Sequence, residues 1–181
     1  RTIIGHGLPI HIGGFTNTFE YRGFDLSVFF QWSYGNDLIN YNRKLLEELR
    51  GGHTNQLATA VNHWTPRTVN AGGTVTEGNY TNYLWAPTRG FYEPGFNTNR
   101  EVEDASVLRL KTIQLGYNFP SKWLKKSGIK SFRIYLSGQD LITWTKYSGY
   151  DPEVSTRNSS MTRGFAYPRS ATYTVGVKMS I

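Results

Sequence analysis

The residue types that most often do chemistry in proteins show no catalytic spacing in this sequence. The chain of 181 residues has no cysteine, which excludes a disulfide framework, a redox cysteine pair and a thiolate zinc site. Its histidines are His6, His11, His53 and His63. They match no metal-binding motif. Asp151 and Glu153 flank Pro152, a spacing that suits a turn better than an acid–base pair. The sequence therefore predicts no catalytic residue, metal or cofactor.

Aromatic side chains in one long irregular stretch are the next candidates for binding chemistry. They are Trp64, Tyr80, Tyr83, Trp85, Phe91 and Tyr92. Such rings can stack on sugars or peptide side chains, or they can pack the loop and its contact with a partner protein. We favour packing and partner contact, and the stacking interpretation stays open.

Charge and hydropathy limit the classes of partner. The formal net charge is +7, but the basic residues are spread along the chain, apart from one group between Lys122 and Lys130. Nucleic-acid binding is therefore not expected. The sequence contains no run of 18 apolar residues that would form a transmembrane helix. A barrel strand needs apolar residues only at alternate positions, so a membrane is not excluded.

The elements that must position these residues are predicted to be strands. Phe24, Leu26, Val28 and Phe30 alternate with polar positions through to Tyr34, which is the period of a strand long enough to cross a bilayer. Similar alternation predicts strands at about 11–21, 24–34, 105–119, 131–144 and 170–181. On the last strand the apolar set includes Tyr173, Val175 and Val177.

The connections between these strands are short, long, short and long. They comprise Arg22-Gly23, 35–103, about 120–130 and 145–169. Residues 35–103 are predicted to be partly helical, with Asn36 or Asp37 as the cap of a first helix. Outer-membrane barrels have short periplasmic turns and long extracellular loops. The sequence thus predicts an all-β fold in which 35–103 and 145–169 are extracellular.

Each predicted strand has an apolar and a polar face. In a barrel the apolar positions, including Phe24, Leu26, Val28, Phe30, Tyr173, Val175 and Val177, would contact lipid. The polar positions Asp25, Gln31, Gln114, Arg133 and Gln139 would face the lumen. Arg109 and Lys111 fall on the apolar parity, so they are expected at headgroup level, in contact with lipopolysaccharide phosphates. A soluble sandwich whose apolar faces form a core is the alternative.

The order and content of several motifs resemble the SusC/RagA family of TonB-dependent outer-membrane transporters of Bacteroidota. The motifs are Gly13-Gly14-Phe15-Thr16-Asn17, the run from Tyr21 to Asn36, Trp64-Thr65-Pro66, Val102 to Lys111, Leu115 to Pro120, Tyr147 to Glu153, and Tyr167-Pro168. The resemblance extends over nearly the whole chain.

This resemblance implies a barrel of about 22 strands that is plugged by an N-terminal domain. The chain would supply its last five strands, and the preceding strands and the plug would lie elsewhere. The family imports glycans or peptides, a SusD-like lipoprotein caps the barrel, and TonB supplies the energy. A soluble cell-surface β-domain that binds carbohydrate and a barrel without transport remain the competing hypotheses.

Overall fold

The elements of the chain are mostly strands. The computed structural model describes residues 2–47, 49, 55–79, 98–153 and 167–181. The strands and α-helices are β1 (His11–Tyr21), β2 (Phe24–Tyr34), β3 (Asp37–Ile39), α1 (Tyr41–Glu47), β4 (Thr68–Val69), β5 (Val75–Thr76), β6 (Val102–Asp104), β7 (Val107–Asn118), α2 (Ser121–Leu124), β8 (Ser131–Thr145) and β9 (Thr172–Ser180). Short 3-10 helices lie at Ala58–Asn62 and Lys125–Ser127. No described helix is long and apolar enough to cross a membrane.

The five long strands form one antiparallel sheet in the order β1-β2-β7-β8-β9. The expected set of five antiparallel strands is therefore confirmed. Arg22 and Gly23 link β1 to β2, both with positive φ, 47° and 92°. Positive φ at both central positions defines the type I′ turn, whose twist matches that of paired strands. In the described residues, β1 and β9 are each paired on one side only.

The register of the sheet keeps the apolar residues of neighbouring strands on one face. Leu26 lies opposite Phe19 on β1 and opposite Leu115 on β7. Leu115 in turn lies opposite Leu136, which lies opposite Val175 on β9. Because side chains alternate with a period of two, the other face collects the polar residues.

An irregularity in the middle of β7 interrupts this alternation. Thr112 pairs with Phe29, but Leu110 pairs with Phe30, so Lys111 is passed over in the register. A β-bulge of this kind adds one residue to one strand and reverses the parity beyond it. Arg109 consequently shares the polar face with its partner Gln31. The sequence-based placement of Arg109 on the apolar parity was wrong for this reason.

In the described part of the chain, no hydrophobic core lies on the apolar face of the sheet. Among the described residues, the buried hydrophobic side chains are Ala60, Ala105, Val107 and Leu124. No described element packs across the apolar face as a second layer; the long strands contact one another, and α2 contacts β8 near their connection. The sandwich hypothesis needs this face to be buried, and none of the described elements covers it.

The chain divides into two compact units, of which the first holds the sheet and the second includes the described residues of 39–102. The predicted helix start at Asn36 or Asp37 was wrong, because Asp37–Ile39 is the strand β3, which pairs with β6. The cap is Asn40, whose Oδ1 accepts a hydrogen bond from the backbone N–H of Arg43 over 3.0 Å. Asn40 also anchors the chain by donating its own N–H to the carbonyl of Glu101 over 2.7 Å.

Candidate functional site

The apolar face of the sheet is broadly exposed. Phe24 is 53%, Tyr173 73%, Val175 74% and Val177 61% exposed, whereas Leu26, Val28 and Phe30 on the more central strand β2 are half-buried. The structure thus brings all seven residues expected to contact lipid onto one surface. A contiguous apolar surface of this kind marks a contact with a membrane or another protein.

Aromatic rings gather on this face at the end of the sheet that carries the short connections. The ring centroids of Phe24 and Tyr117 lie 4.5 Å apart, and those of Tyr117 and Phe119 lie 5.0 Å apart. Phe119 continues the cluster to Phe132 at 5.0 Å and to Trp123 at 6.3 Å. Amphipathic and aromatic rings concentrate at membrane–water interfaces, so this cluster has the composition of an interfacial girdle.

An ion pair crosses the polar face over a glycine. Arg133 Nε on β8 donates to Asp25 Oδ1 on β2 over 3.2 Å, and Arg133 Nη2 donates to Asp25 Oδ2. Asn118 Nδ2 also donates to Asp25 Oδ1 over 3.0 Å. A Cβ at Gly116, on the intervening strand β7, would lie 2.6 Å from both the guanidinium and the carboxylate. Glycine at this position leaves the room in which the pair forms.

The three glutamines expected on the lumen side lie on the same polar face at different heights. Gln31 is the register partner of Arg109, and Gln114 lies between Ser27 and Ser137. Gln139 pairs with Thr112 and with Thr172 on β9. Together with Asp25 and Arg133, these glutamines supply hydrogen-bond donors and acceptors along most of the length of the polar face.

The largest charged cluster among the described residues centres on Arg109. Arg109 Nη2 lies 2.7 Å from Asp151 Oδ1, and the two side chains are only 3% and 5% exposed. Arg109 Nε lies 2.9 Å from Glu153 Oε2, in ion-pair range but without hydrogen-bond direction. Lys111 donates to Asp140 Oδ1 over 3.0 Å, and Arg169 donates to Glu153 over 2.9 Å. The three acids balance the three bases, so the cluster is electrically self-contained.

Sequence reasoning missed this cluster. It assigned Arg109 and Lys111 to lipopolysaccharide phosphates, and the buried, ion-paired Arg109 contradicts that assignment. Asp151-Pro152-Glu153 was interpreted as a turn. The sequence offered two signals, namely a pair of acidic residues spaced by a proline and a pair of basic residues two apart on a strand. Neither pair indicated that the other was its partner.

Two ionisable groups outside the long strands, Asp104 and Tyr147, have shifted pKa values. Two hydrogen bonds from Ser106 lower the pKa of the Asp104 carboxyl. The larger effect comes from the Ser106 hydroxyl, and the smaller from the Ser106 backbone N–H, which lies 2.9 Å from Oδ1. Burial raises the pKa of the Tyr147 phenol, and the negative charge of Glu103 raises it further. Glu103 in turn accepts hydrogen bonds from the N–H and hydroxyl of Ser148, each over 2.8 Å.

The structure describes one of the six loop aromatics. Trp64 is 39% exposed and precedes Thr65, whose backbone forms a bridge with Asn79. The other five candidates, Tyr80, Tyr83, Trp85, Phe91 and Tyr92, lie outside the described residues. In the part of the chain that the structure describes, no three acidic or histidine side chains gather as a metal site would require.

The known proteins to which this chain is similar are receptors of one type. No family model matches. The TonB-dependent receptor P3 of Formosa agariphila is 36% identical over 99% of this chain and 17% of its own length. The TonB-dependent receptor SusC of Bacteroides thetaiotaomicron is 32% identical over 43% of this chain and 8% of its own length.

Solved structures give the same result. A chain of the RagAB peptide importer in its "closed-closed" state superposes with a TM-score of 0.73 and 28% identity, over 98% of this chain and 18% of that chain. The chain of 181 residues therefore spans less than a fifth of the length of these relatives.

Proposed function

Because this chain belongs to the TonB-dependent receptors of the SusC/RagA type, we propose that it forms five neighbouring strands, the last of the barrel, in an active outer-membrane transporter. These receptors are transporters and not enzymes. The transporter imports glycan or peptide nutrients, and the RagAB complex, described as a peptide importer, supports this class of solute.

The single observation that carries the proposal is the uncovered apolar face of the sheet. Leu115 and Leu136 lie at its middle and are 45% and 50% exposed, with no described element over them. In water such a surface is unstable, whereas in a bilayer lipid covers it. Phe24, Leu26, Val28, Phe30, Tyr173, Val175 and Val177 accordingly contact hydrocarbon.

The opposite face then lines the lumen. Asp25 and Arg133 neutralise each other there, and Gln31, Gln114 and Gln139 offer donors and acceptors to water, to a plug domain or to solute. A wet interior tolerates such groups, but the hydrocarbon region would not. The polar face thus supports a role as one arc of a water-accessible wall.

In this proposal the long connections lie on the extracellular side. Residues 35–103 and 145–169 leave the sheet at the end opposite the two short turns, and they are available to a SusD-like surface lipoprotein. The loop aromatics Trp64, Tyr80, Tyr83, Trp85, Phe91 and Tyr92 serve this contact or stack on solute. Energy comes from TonB through the plug, which other parts of the receptor supply.

A pair of substitutions on neighbouring residues of β2 tests the proposal in the full receptor. Val28→Arg places a charge on the apolar face, where an arginine at the bilayer midplane costs roughly 2–4 kcal/mol. Ser27→Arg, one residue away on the polar face, is the matched control. We expect Val28→Arg to lower the amount of heat-modifiable receptor in purified outer membranes, and Ser27→Arg to insert normally.

Equal insertion of both variants would contradict the assignment of the faces. A receptor that stays folded and dispersed without detergent would instead support a soluble carbohydrate-binding surface domain. Uptake of labelled peptides and oligosaccharides by cells that carry the wild-type receptor then identifies the solute class.

A further inference from the structure

A groove on the apolar face opens beside the aromatic cluster at the short-connection end. It has a volume of about 350 Å³. Apolar and aromatic side chains form its walls, namely those of Phe24, Leu115, Tyr117, Phe119, Ile134 and Leu136. Val175 on β9 borders it as well. The groove therefore spans four strands of the sheet and offers an apolar ligand a continuous apolar surface.

The connection next to the groove is strongly basic. Residues 120–130 contain four lysines and no acidic residue. They are Lys122, Lys125, Lys126 and Lys130. Lys130 donates to the carbonyl oxygen of Ile181 over 3.2 Å. Lys122 and Lys125 are exposed, and in the described residues neither makes an ion pair. Among the described side chains, Lys122 and Lys125 thus carry positive charges that no acidic residue neutralises.

Trp123 joins the basic connection to the groove. Its ring is 66% exposed and meets Phe119, a wall of the groove, edge-on at 6.3 Å. Lys122 precedes Trp123 in α2, and Lys125 follows two residues later. The order along the surface is therefore apolar groove, aromatic belt and then positive charge. An anionic lipid has the same order of acyl chain, interface and phosphate.

We propose that this surface is a binding site for a phospholipid with an anionic headgroup, such as phosphatidylglycerol. One acyl chain lies in the groove between Leu115, Leu136 and Val175, and the phosphate is held by Lys122 and Lys125. Lysines next to a membrane attract anionic headgroups, and apolar area in the groove contributes in proportion to the chain buried. This inference rests on the proposed membrane location of the sheet.

Charge complementarity favours this occupant over a protein partner. A neutral lipid would use the groove but would leave the lysines without a counterion, and a soluble acidic protein would leave the groove empty. Lipopolysaccharide carries phosphates too, but the proposed orientation puts this end of the sheet at the periplasmic leaflet. The anionic phospholipid uses both halves of the surface.

The test is native mass spectrometry of the full receptor, purified in detergent and titrated with dioleoylphosphatidylglycerol or dioleoylphosphatidylcholine. Wild-type receptor is expected to retain the anionic lipid in preference to the neutral one. Lys122→Gln with Lys125→Gln is expected to weaken phosphatidylglycerol binding roughly 30-fold, in line with the usual effect of two lysines at a membrane surface. Lys44→Gln with Lys146→Gln makes the same charge change on the long connections and is expected to bind as wild type.

A second pair of variants tests the groove. Leu136→Trp fills it, and Ile142→Trp makes the same substitution on the same strand, outside the groove walls. Only Leu136→Trp is expected to weaken phosphatidylglycerol binding. The inference is overturned if both lipids bind equally to wild type, or if the lysine variant loses no affinity. A receptor that inserts into membranes and gives either result refutes the lipid site alone, whereas failure to insert refutes the proposed function as well.

Discussion

Arg109 Nη2 lies 2.7 Å from Asp151 Oδ1, which joins a strand of the sheet to a segment 42 residues further along the chain. Both side chains are almost completely buried. The pair fixes the first residues of the 145–169 connection to the polar face. This attachment gives the long loop a defined point of departure from the sheet.

Breaking this pair on one side is expected to destabilise the loop attachment strongly. Arg109→Met leaves Asp151 and Glu153 without their central cation, and loss of one partner of a buried ion pair costs about 3–5 kcal/mol. Limited proteolysis between residues 145 and 169 should become faster, with a lower midpoint of thermal unfolding. Arg169→Gln is the control, since this more exposed pair contributes at most about 1 kcal/mol. Equal protease resistance of wild type and Arg109→Met would refute the attachment.

The pair between Asp25 and Arg133 predicts a rescue by charge exchange. Asp25→Ala is expected to cost about 1–2 kcal/mol, because it removes charge-assisted hydrogen bonds at a partly exposed site. The double variant Asp25→Arg with Arg133→Asp should recover part of that loss in a chemical unfolding assay of the detergent-solubilised receptor. Gly116→Val should also destabilise the receptor, since its side chain occupies the path of the pair. Additive losses in the exchanged double variant would show that the two groups are not coupled.

The bulge at Lys111 predicts that both deletion and substitution of this residue are tolerated. Removal of Lys111 restores regular pairing between β7 and β2 and leaves Arg109 and Ile113 opposite their present partners and on their present faces, so the receptor should still insert into the membrane. Lys111→Ala keeps the bulge and loses only the contact with Asp140, so it should insert at close to the wild-type level. Heat-modifiable migration of the two variants in gels measures insertion. Failed insertion of the deletion variant would count against Lys111 as the extra residue of the bulge.

The lowered pKa of Asp104 predicts a pH dependence at one turn. The folded state favours the carboxylate, so its contribution to stability is present above the unfolded pKa near 3.8 and is lost as pH falls through the lower folded value. Hydrogen exchange at the Ser106 amide, corrected for its intrinsic rate, should therefore accelerate in strongly acidic solution. Asp104→Asn should abolish that acid-induced change. An acceleration of the same size in Asp104→Asn would assign the effect to another group.

The sequence predicted the strands well, because alternation depends only on which residues are neighbours along the chain. From Phe24 to Tyr34 apolar and polar residues alternate with Phe29 as the one exception, and β2 has those bounds. The two-residue turn at Arg22 and Gly23 could be predicted for the same reason, because it depends only on neighbouring residues. These features need no knowledge of the rest of the molecule, and the structure agrees with them.

Features that depend on pairing between distant strands could not be predicted in the same way. The bulge at Lys111 changes no local propensity, so counting parity from Ile113 back to Arg109 gave the wrong face. The partners of Arg109 lie far along the chain, and many exposed acids were equally available. Asn40 caps α1 only because β3 continues the chain beyond Asp37 to pair with β6, a contact that residues 35–50 alone do not encode.

The two outer strands have a consequence for how this segment can be handled. Along the outer margins of β1 and β9, the described backbone has amide and carbonyl groups without strand partners, and hydrocarbon provides no substitute for them. In water, the same rows act as templates on which another copy can add a strand. The segment produced by itself should therefore self-associate into high-molecular-weight assemblies, and its smallest stable folding unit includes the strands that flank it in the receptor.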